Sequence, residues 1–279
     1  MNIYKKIELL NNFTEAEQTF IQFLNDHPQD VIDLNINQLA KISYVSVSTI
    51  YRVIDKLDLS GFNDLKMKIS SAMKSKDDNI TYVNYNYPFE KNDTHYQVMS
   101  KMFTLHKQTL QSTIDLIDLD VFHKIIHVLY NASRIVLFPS FGNYIFAETF
   151  QQNMLEIGVR VEVCKEKFYQ HWYSNACQKG DVAIIMTYSN RTQYFKEIVK
   201  ILKKKNITII LLSSTKENEI SKYVNYHLYC SSYENQKNKI SSFSSKVSLQ
   251  FLLDCIYSCY FQINYDKNIE LKLKNDIDY

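Results

Sequence analysis

The chain has 279 residues, with 32 basic against 30 acidic side chains and 46% hydrophobic composition. These are globular proportions, so wholesale disorder is excluded, and 4 Gly and 3 Pro exclude collagen-like or low-complexity architecture. The length suits two ordinary domains, and a net charge of +2 supports no global attraction to nucleic acid or membrane.

The N-terminus MNIYKKIELLNNF lacks the apolar stretch of a secretory leader, and the apolar run 251–263 is short for a membrane span and carries Asp254 and Gln262. The five cysteines are odd in number, with no CxxC pair. A soluble cytoplasmic protein with reduced, buried thiols and no membrane partner is expected.

Four short amphipathic helices are expected between residues 14 and 73. Thr14 and Glu17 make a T-x-x-E capping box ahead of Phe20, Phe23 and Leu24, and Pro28 stops that helix. Asn35 suits the N-cap of a second helix carrying Ile36, Leu39, Ala40 and Ile42. Ser46 caps a third, in which Ile50, Val53, Ile54 and Leu57 hold the spacing of a buried face. A fourth follows Gly61, with Phe62, Leu65 and Ile69.

Periodicity is lost over 75–95, and a linker is expected at 77–95. Two helical patterns follow, at 95–117 and 119–131. From Arg134 onward, apolar runs at 135–138, 159–163, 182–186, 207–212 and 224–229 alternate with helix-length stretches. Such alternation implies a mainly parallel five-stranded sheet flanked by helices. A last helix at about 244–262 is apolar on most of its circumference, and a subunit interface would bury it. The fold expected is an all-α bundle over 1–76 joined to an α/β domain over 96–279.

Two short helices with a tight turn, the second strongly amphipathic, are the physical content of a helix-turn-helix. Residues 1–40 hold 2 Lys against 6 acids, net −4, whereas residues 41–76 hold 7 basic residues against 3 acids, net +4. At about 100° per residue, Ser48, Thr49, Arg52 and Lys56 fall opposite the apolar face of the third helix, with Tyr51 on its flank. Hydroxyls near a helix N-terminus, Ser46 included, can meet phosphate or base edges, and Arg52 is one of four arginines among 28 lysines. By periodicity alone, a helical bundle with a merely solvated polar face fits as well, and Asp55 on the exposed face opposes tight phosphate contact.

The stretch from FTEAEQ to LKMKIS resembles the helix-turn-helix domain of RpiR-type transcriptional regulators. The resemblance lies in T-x-A-E, the L-A of the second helix, V-S-x-x-T-I-x-R and G-F-x-D-L-K, over about 60 residues. Asp58 stands where that family usually has glycine, which asks an aspartate to adopt a left-handed cap. The resemblance implies double-stranded operator DNA as a partner, read by paired heads of a homodimer or homotetramer.

In a parallel sheet, ligands sit at the carboxyl ends of strands. PSFGN at 139–143 and TYSNRT at 187–192 follow the first and third expected strands and offer hydroxyls and amides at helix starts. By residue type alone, ordinary helix caps are the better reading of both. The region 134–265 resembles the sugar isomerase (SIS) domain. That likeness implies a sugar-phosphate effector held by Thr187, Ser189 and Thr192, with Asn190 in the same loop, Asn143 in place of a serine, and Ser140 beside it. Ser241, Ser242 and Ser245 are weaker candidates for the rim. Asn190, Pro139 and Phe141 replace family glycines that permit close approach to phosphate.

No catalytic residue, metal set or cofactor is assigned. His123 and His127 lack an intervening Glu and read as a solvated face, Cys255 and Cys259 as core, and His171–Trp172 as a packed aromatic pair. The expected function is a DNA-binding regulator of sugar or amino-sugar metabolism, modulated by a phosphosugar. The alternatives are a regulator whose SIS domain only oligomerises, or a sugar-phosphate isomerase, for which no general base is assigned.

Overall fold

A computed structural model of the chain describes residues 2–10, 12–74, 82–140, 142–188, 193–214, 219–231, 233–235 and 237–275. The chain divides into two units, Met1–Thr81 and Tyr82–Tyr279.

Helices of the first unit begin where short polar side chains satisfy free N–H groups. Asn2 caps α1 (Ile3–Leu9), and Thr14 and Glu17 form the expected box at α2 (Glu15–Asp26), with Thr14 N donating to Glu17 Oε2 at 2.7 Å. Asn35 and Gln38 form a second box at α4 (Ile36–Ile42), and Ser46 caps α5 (Val47–Lys56). The unit closes with α6 (Phe62–Lys74). Two helices are additional to the sequence expectation. One is α1; the other is α3 (Pro28–Asp33), because Pro28 both follows the end of α2 and opens a new helix where its missing N–H is not needed.

The core of this unit gathers Phe20, Leu24, Val31, Leu39, Ile50, Val53, Ile54, Leu57, Leu65 and Ile69. Burying each such side chain contributes about 2 kcal/mol. Within it lies a charge. The buried Glu17 carboxylate accepts from Lys56 Nζ at 2.7 Å, and Lys56 also donates to Asn12 O at 2.7 Å. Hydrogen bonds from Lys56 and from the Thr14 backbone hold the Glu17 carboxyl below its ordinary pKa.

In the second unit, the segment 82–94, part of the linker expected over 77–95, is held at several points. Gln108 clamps Val83 from both sides (Val83 N to Oε1 3.1 Å, Nε2 to Val83 O 2.7 Å), Ile240 N donates to Asn86 O, and Tyr85 lies on Tyr233. Then come α7 (His95–Asp115), α8 (Leu119–Tyr130), β1 (Arg134–Pro139), α9 (Tyr144–Glu156), β2 (Val161–Val163), α10 (Lys167–Ala176), β3 (Asp181–Met186), α11 (Gln193–Lys204), β4 (Thr208–Ser214), β5 (Tyr226–Cys230), α12 (Phe243–Ile263) and α13 (Tyr265–Asn275). The last helix, α13, was not expected from sequence.

All strand pairs are parallel, in the order β2-β1-β3-β4-β5. One face packs Ile135, Leu137, Ile184, Met186, Ile210 and Leu212 with α8, α9 and α12; the other packs Val136, Phe138, Ala183, Ile185, Ile209 and Leu211 with α11. Burial on both faces explains the continuous apolar runs. Arg134 ties the starts of β1 and β3 through the buried Asp181 at 2.6 Å. Gly180 precedes β3 at φ +100°, where an added Cβ would stand 2.7 Å from Ser133 Oγ.

Replacing Lys56 by Met strands the Glu17 carboxylate, and the first unit should lose about 2–3 kcal/mol of stability at neutral pH. Because the folded pKa of Glu17 is depressed, its pairing stabilises above the unfolded value of about 4.3 and fades as pH falls through the folded one. Denaturant melts of wild type and K56M should therefore converge in acid; a gap independent of pH would contradict the pairing.

Candidate DNA-reading surface and ligand-binding loops

The α4–α5 pair is a helix-turn-helix. Ser43 ends α4 by donating its hydroxyl to Leu39 O at 2.7 Å, Tyr44 takes φ +56°, and Val45 N donates to Ala40 O. The chain then enters α5 through Ser46, whose Oγ accepts from Thr49 N at 3.1 Å. The apolar face of α5 is buried as expected. Its outer face carries Ser46, Ser48, Tyr51, Arg52 and Asp55, all exposed.

Two residues placed on that outer face by helical winding turn inward. Thr49 is only 3% exposed, with its hydroxyl bonded to Ser46 Oγ at 2.8 Å and receiving Arg52 Nη2 at 3.1 Å. Lys56 leans toward α2 and the Glu17 carboxylate. Thr49 thus holds Arg52 from below, and Lys56 serves the core more than the surface. The departure at Asp58 has a direct consequence: it adopts φ +44°, and Leu59 N closes the helix end on Ile54 O.

The second unit places its candidate loops side by side. The connection after β1 runs to β2 on one side and the connection after β3 runs to β4 on the other, so the carboxyl ends of β1 and β3 form a topological switch point. There Ser140 N donates to Met186 O at 2.7 Å, and Asn143 Nδ2 donates to Ser140 Oγ at 2.9 Å. Thr187 extends β3 at the same edge, buried, its N–H on Leu212 O. Ser140, Asn143 and Thr187 are therefore brought together. Ser189, Asn190 and Thr192 lie outside the described residues.

Tyr188, next in the loop, is bonded through its hydroxyl to Ser231 O at 2.8 Å, and burial raises its phenol pKa. Ser231 N donates to Ser248 Oγ on α12, and Ser231 Oγ to Ser112 Oγ on α7. Further pairs, Thr109–Ser244 and Thr113–Ser248, both at 2.8 Å, continue this hydroxyl seam.

Ser241 and Ser242 sit half-buried ahead of α12, yet the helix start is already served. The buried Glu234 carboxylate accepts from the backbone N–H groups of Ser244 and Ser245, from Ser245 Oγ at 2.8 Å and from Lys239 Nζ at 2.9 Å. The protein's own anion thus occupies the anion-attracting end of α12. Sequence reasoning missed Glu234, which sits in a polar loop without a motif. It also missed Gln170, whose buried amide donates to Pro139 O and Cys164 O and steadies the ends of β1 and β2.

Other expectations resolve plainly. The His171–Trp172 pair is not packed: Trp172 is 55% exposed and meets Phe168 and Tyr169 edge-on instead, because all three rings line the outer side of α10. Cys164, Cys177 and Cys230 are buried free thiols, and burial pushes Cys177 up to about 11 and Cys230 up to about 12. His227, bonded to Ser213 Oγ at 2.7 Å, is pushed down to about 4 by burial and is neutral at pH 7.

The comparisons agree with this geometry. The helix-turn-helix domain of the rpiR family matches residues 1–76, and the SIS domain matches residues 128–257. An uncharacterized HTH-type transcriptional regulator of Haemophilus influenzae is 24% identical over 276 residues, spanning 98% of this chain and 94% of the relative. Another, from Clostridium perfringens, is 26% identical over 261 residues, spanning 94% of this chain and 92% of the relative. Vibrio vulnificus NanR complexed with ManNAc-6P shares the fold at a TM-score of 0.58 and 16% identity, covering 98% of this chain and 96% of that one. The sugar isomerase domain of an RpiR transcription factor from Sphaerobacter thermophilus does so at 0.57 and 10%, covering 64% and 98%.

A helix-turn-helix head followed by a SIS domain defines a transcriptional regulator with an α/β partner domain. The chain belongs to the RpiR-type regulators. No helix among the described residues is long and apolar enough to cross a membrane.

The Glu234 cap is testable in this setting. Glu234→Ala removes a buried, hydrogen-bonded carboxylate and should cost about 2–3 kcal/mol in denaturant melts. A change below about 0.5 kcal/mol, the scale of an ordinary surface substitution, would show that α12 does not need this cap.

Proposed function

We propose that the chain is a cytoplasmic regulator of sugar or amino-sugar metabolism that binds operator DNA through α5 and responds to a phosphosugar at the β1–β3 switch point. The observation that carries this reading is the convergence of Ser140, Asn143 and Thr187 at that switch. The loop that would complete the cradle, with Ser189, Asn190 and Thr192, begins directly after Tyr188. The fold neighbour holding ManNAc-6P supports an amino-sugar phosphate as effector. Ser241 and Ser242 border the site at most, since Glu234 already fills the α12 end with negative charge.

On the DNA side, Arg52 reads base edges while Ser46, Ser48 and Tyr51 meet the backbone. Thr49 orients Arg52, and Lys56 contributes field more than contact. Two heads are needed for two half-sites, so a homodimer or a homotetramer is the working assembly. The effector need not react; it has only to prefer one arrangement of the heads. Two features of the α/β unit support binding over catalysis. Glu234 has its oxygens taken by four donors, and His227 is buried and bonded to Ser213. Neither is poised as the base an isomerase requires.

A second reading, a SIS domain kept only for assembly, is favoured by Pro139, which ends β1 where the resemblance has glycine, and by the occupied start of α12. A thermal-shift screen against sugar phosphates separates the two. An effector at 100 times its dissociation constant should stabilise the protein by about 2.7 kcal/mol, and S189A combined with T192A should abolish that gain. No stabilisation by any member would favour the assembly reading, and a full response in the double variant would put the ligand elsewhere. For the head, Arg52→Ala should abolish sequence-specific binding with little effect on melting temperature; unaltered affinity would remove Arg52 from the readout.

A further inference from the structure

The turn of the helix-turn-helix holds a residue that the fold itself does not explain. Tyr44 is 92% exposed and sits at φ +56°. Both properties are unfavourable. A left-handed backbone is disfavoured for any side chain with a Cβ, most of all a bulky one. A tyrosine ring held in water forgoes the burial that makes aromatics useful.

Among the described residues, the other non-glycine positions of positive φ are Asp58 and Asn206, types that tolerate this conformation. Tyr44 belongs to neither class. The turn does not depend on its ring either. It is built by Ser43 on Leu39 O, Val45 N on Ala40 O and the Ser46 cap, all of which leave the Tyr44 side chain out.

The surroundings say what the ring could meet. Lys41 and Ile42, which precede it, and Ser46, Ser48, Tyr51 and Arg52, which follow, are all exposed. This is a basic, hydroxyl-bearing surface with projecting apolar rings at the N-terminal end of α5, where partial positive charge favours phosphate. An acidic protein surface would be drawn by the charge but would have no use for a line of hydroxyls beside a helix end. A duplex backbone offers both phosphate oxygens and the apolar faces of deoxyribose.

We propose that Tyr44 is a duplex-DNA contact, its ring packed on deoxyribose and its hydroxyl donating to a phosphate beside the groove that α5 enters. This rests on the reading of the first unit as the DNA-binding head. The position, in the turn rather than on the helix, assigns the contact to the backbone, so it adds affinity without reading sequence. The strain at Tyr44 is then retained for binding and not for folding.

The test uses the full chain and a duplex that the wild type selects from a random-sequence pool, beside an unselected duplex of equal length. Tyr44→Gly relieves the backbone and should raise the melting temperature by a few degrees. The same change should weaken binding to both duplexes about tenfold, the worth of one charge-assisted hydrogen bond with its ring packing. Because tyrosine carries no charge to exchange for counterions, the loss should be the same factor at every salt concentration. Tyr44→Asn, which also accepts a left-handed backbone, should reproduce the loss, so that glycine flexibility is not its source.

Unchanged affinity in both variants would overturn the proposal. So would a loss confined to the selected duplex, which would mark Tyr44 as a base reader. Failure of the wild type to enrich any duplex would instead sink the DNA-binding reading on which the proposal rests.

Discussion

The geometry of the second unit depends on one constraint, the pairing of β1 with β2 on one side and β3 on the other. Because all strand pairs are parallel, the loops leaving the strands open at one edge. Because the connections after β1 and β3 run to opposite sides of the sheet, a crevice opens between the two loops. The Ser140–Met186 hydrogen bond fixes their spacing directly. The double-sided apolar core makes that register expensive to change: a slip of one residue would turn Leu137 or Ile184 onto the wrong face.

From that edge, a buried polar path leads away from the loops. Tyr188 reaches Ser231, and Ser231 reaches both α12 and α7 through Ser248 and Ser112. Gln108 on α7 in turn grips Val83, in the segment that follows the DNA-reading unit in sequence. Satisfied hydroxyls inside a packed interface have few alternative partners, so a displacement at Tyr188 is not easily absorbed locally. The seam thus connects the loop after β3 to the segment at Val83.

Much of this was legible in the sequence, and the limits have physical causes. The apolar runs of the central strands β1, β3 and β4 stood out because strands buried on both faces need uninterrupted apolar residues. Thr14, Asn35 and Ser46 marked helix starts because caps are local chemistry. The left-handed turn at Asp58 could be anticipated only through the resemblance, which puts a family glycine at that position. Thr49 and Lys56 were placed outward because a helical wheel knows a helix's own apolar stripe but not its neighbours. It carries no information about Glu17 on α2. Glu234 and Gln170 were invisible for the same reason, since the helix-start N–H groups and strand-end carbonyls they bond are brought near only by the fold. Residues 82–94 read as linker because they are held through their own backbone groups and tyrosines, which leave no periodic trace.

The proposed function requires that DNA binding at α5 be coupled to a phosphosugar at the β1–β3 edge. Its most direct test is an anisotropy titration of the full chain onto its selected duplex, with and without each amino-sugar phosphate that calorimetry shows to bind. At least one such ligand should change the duplex affinity by about 5- to 150-fold, the usual range of coupling between sites. A ligand that binds the protein tightly and leaves the duplex isotherm unmoved would contradict it.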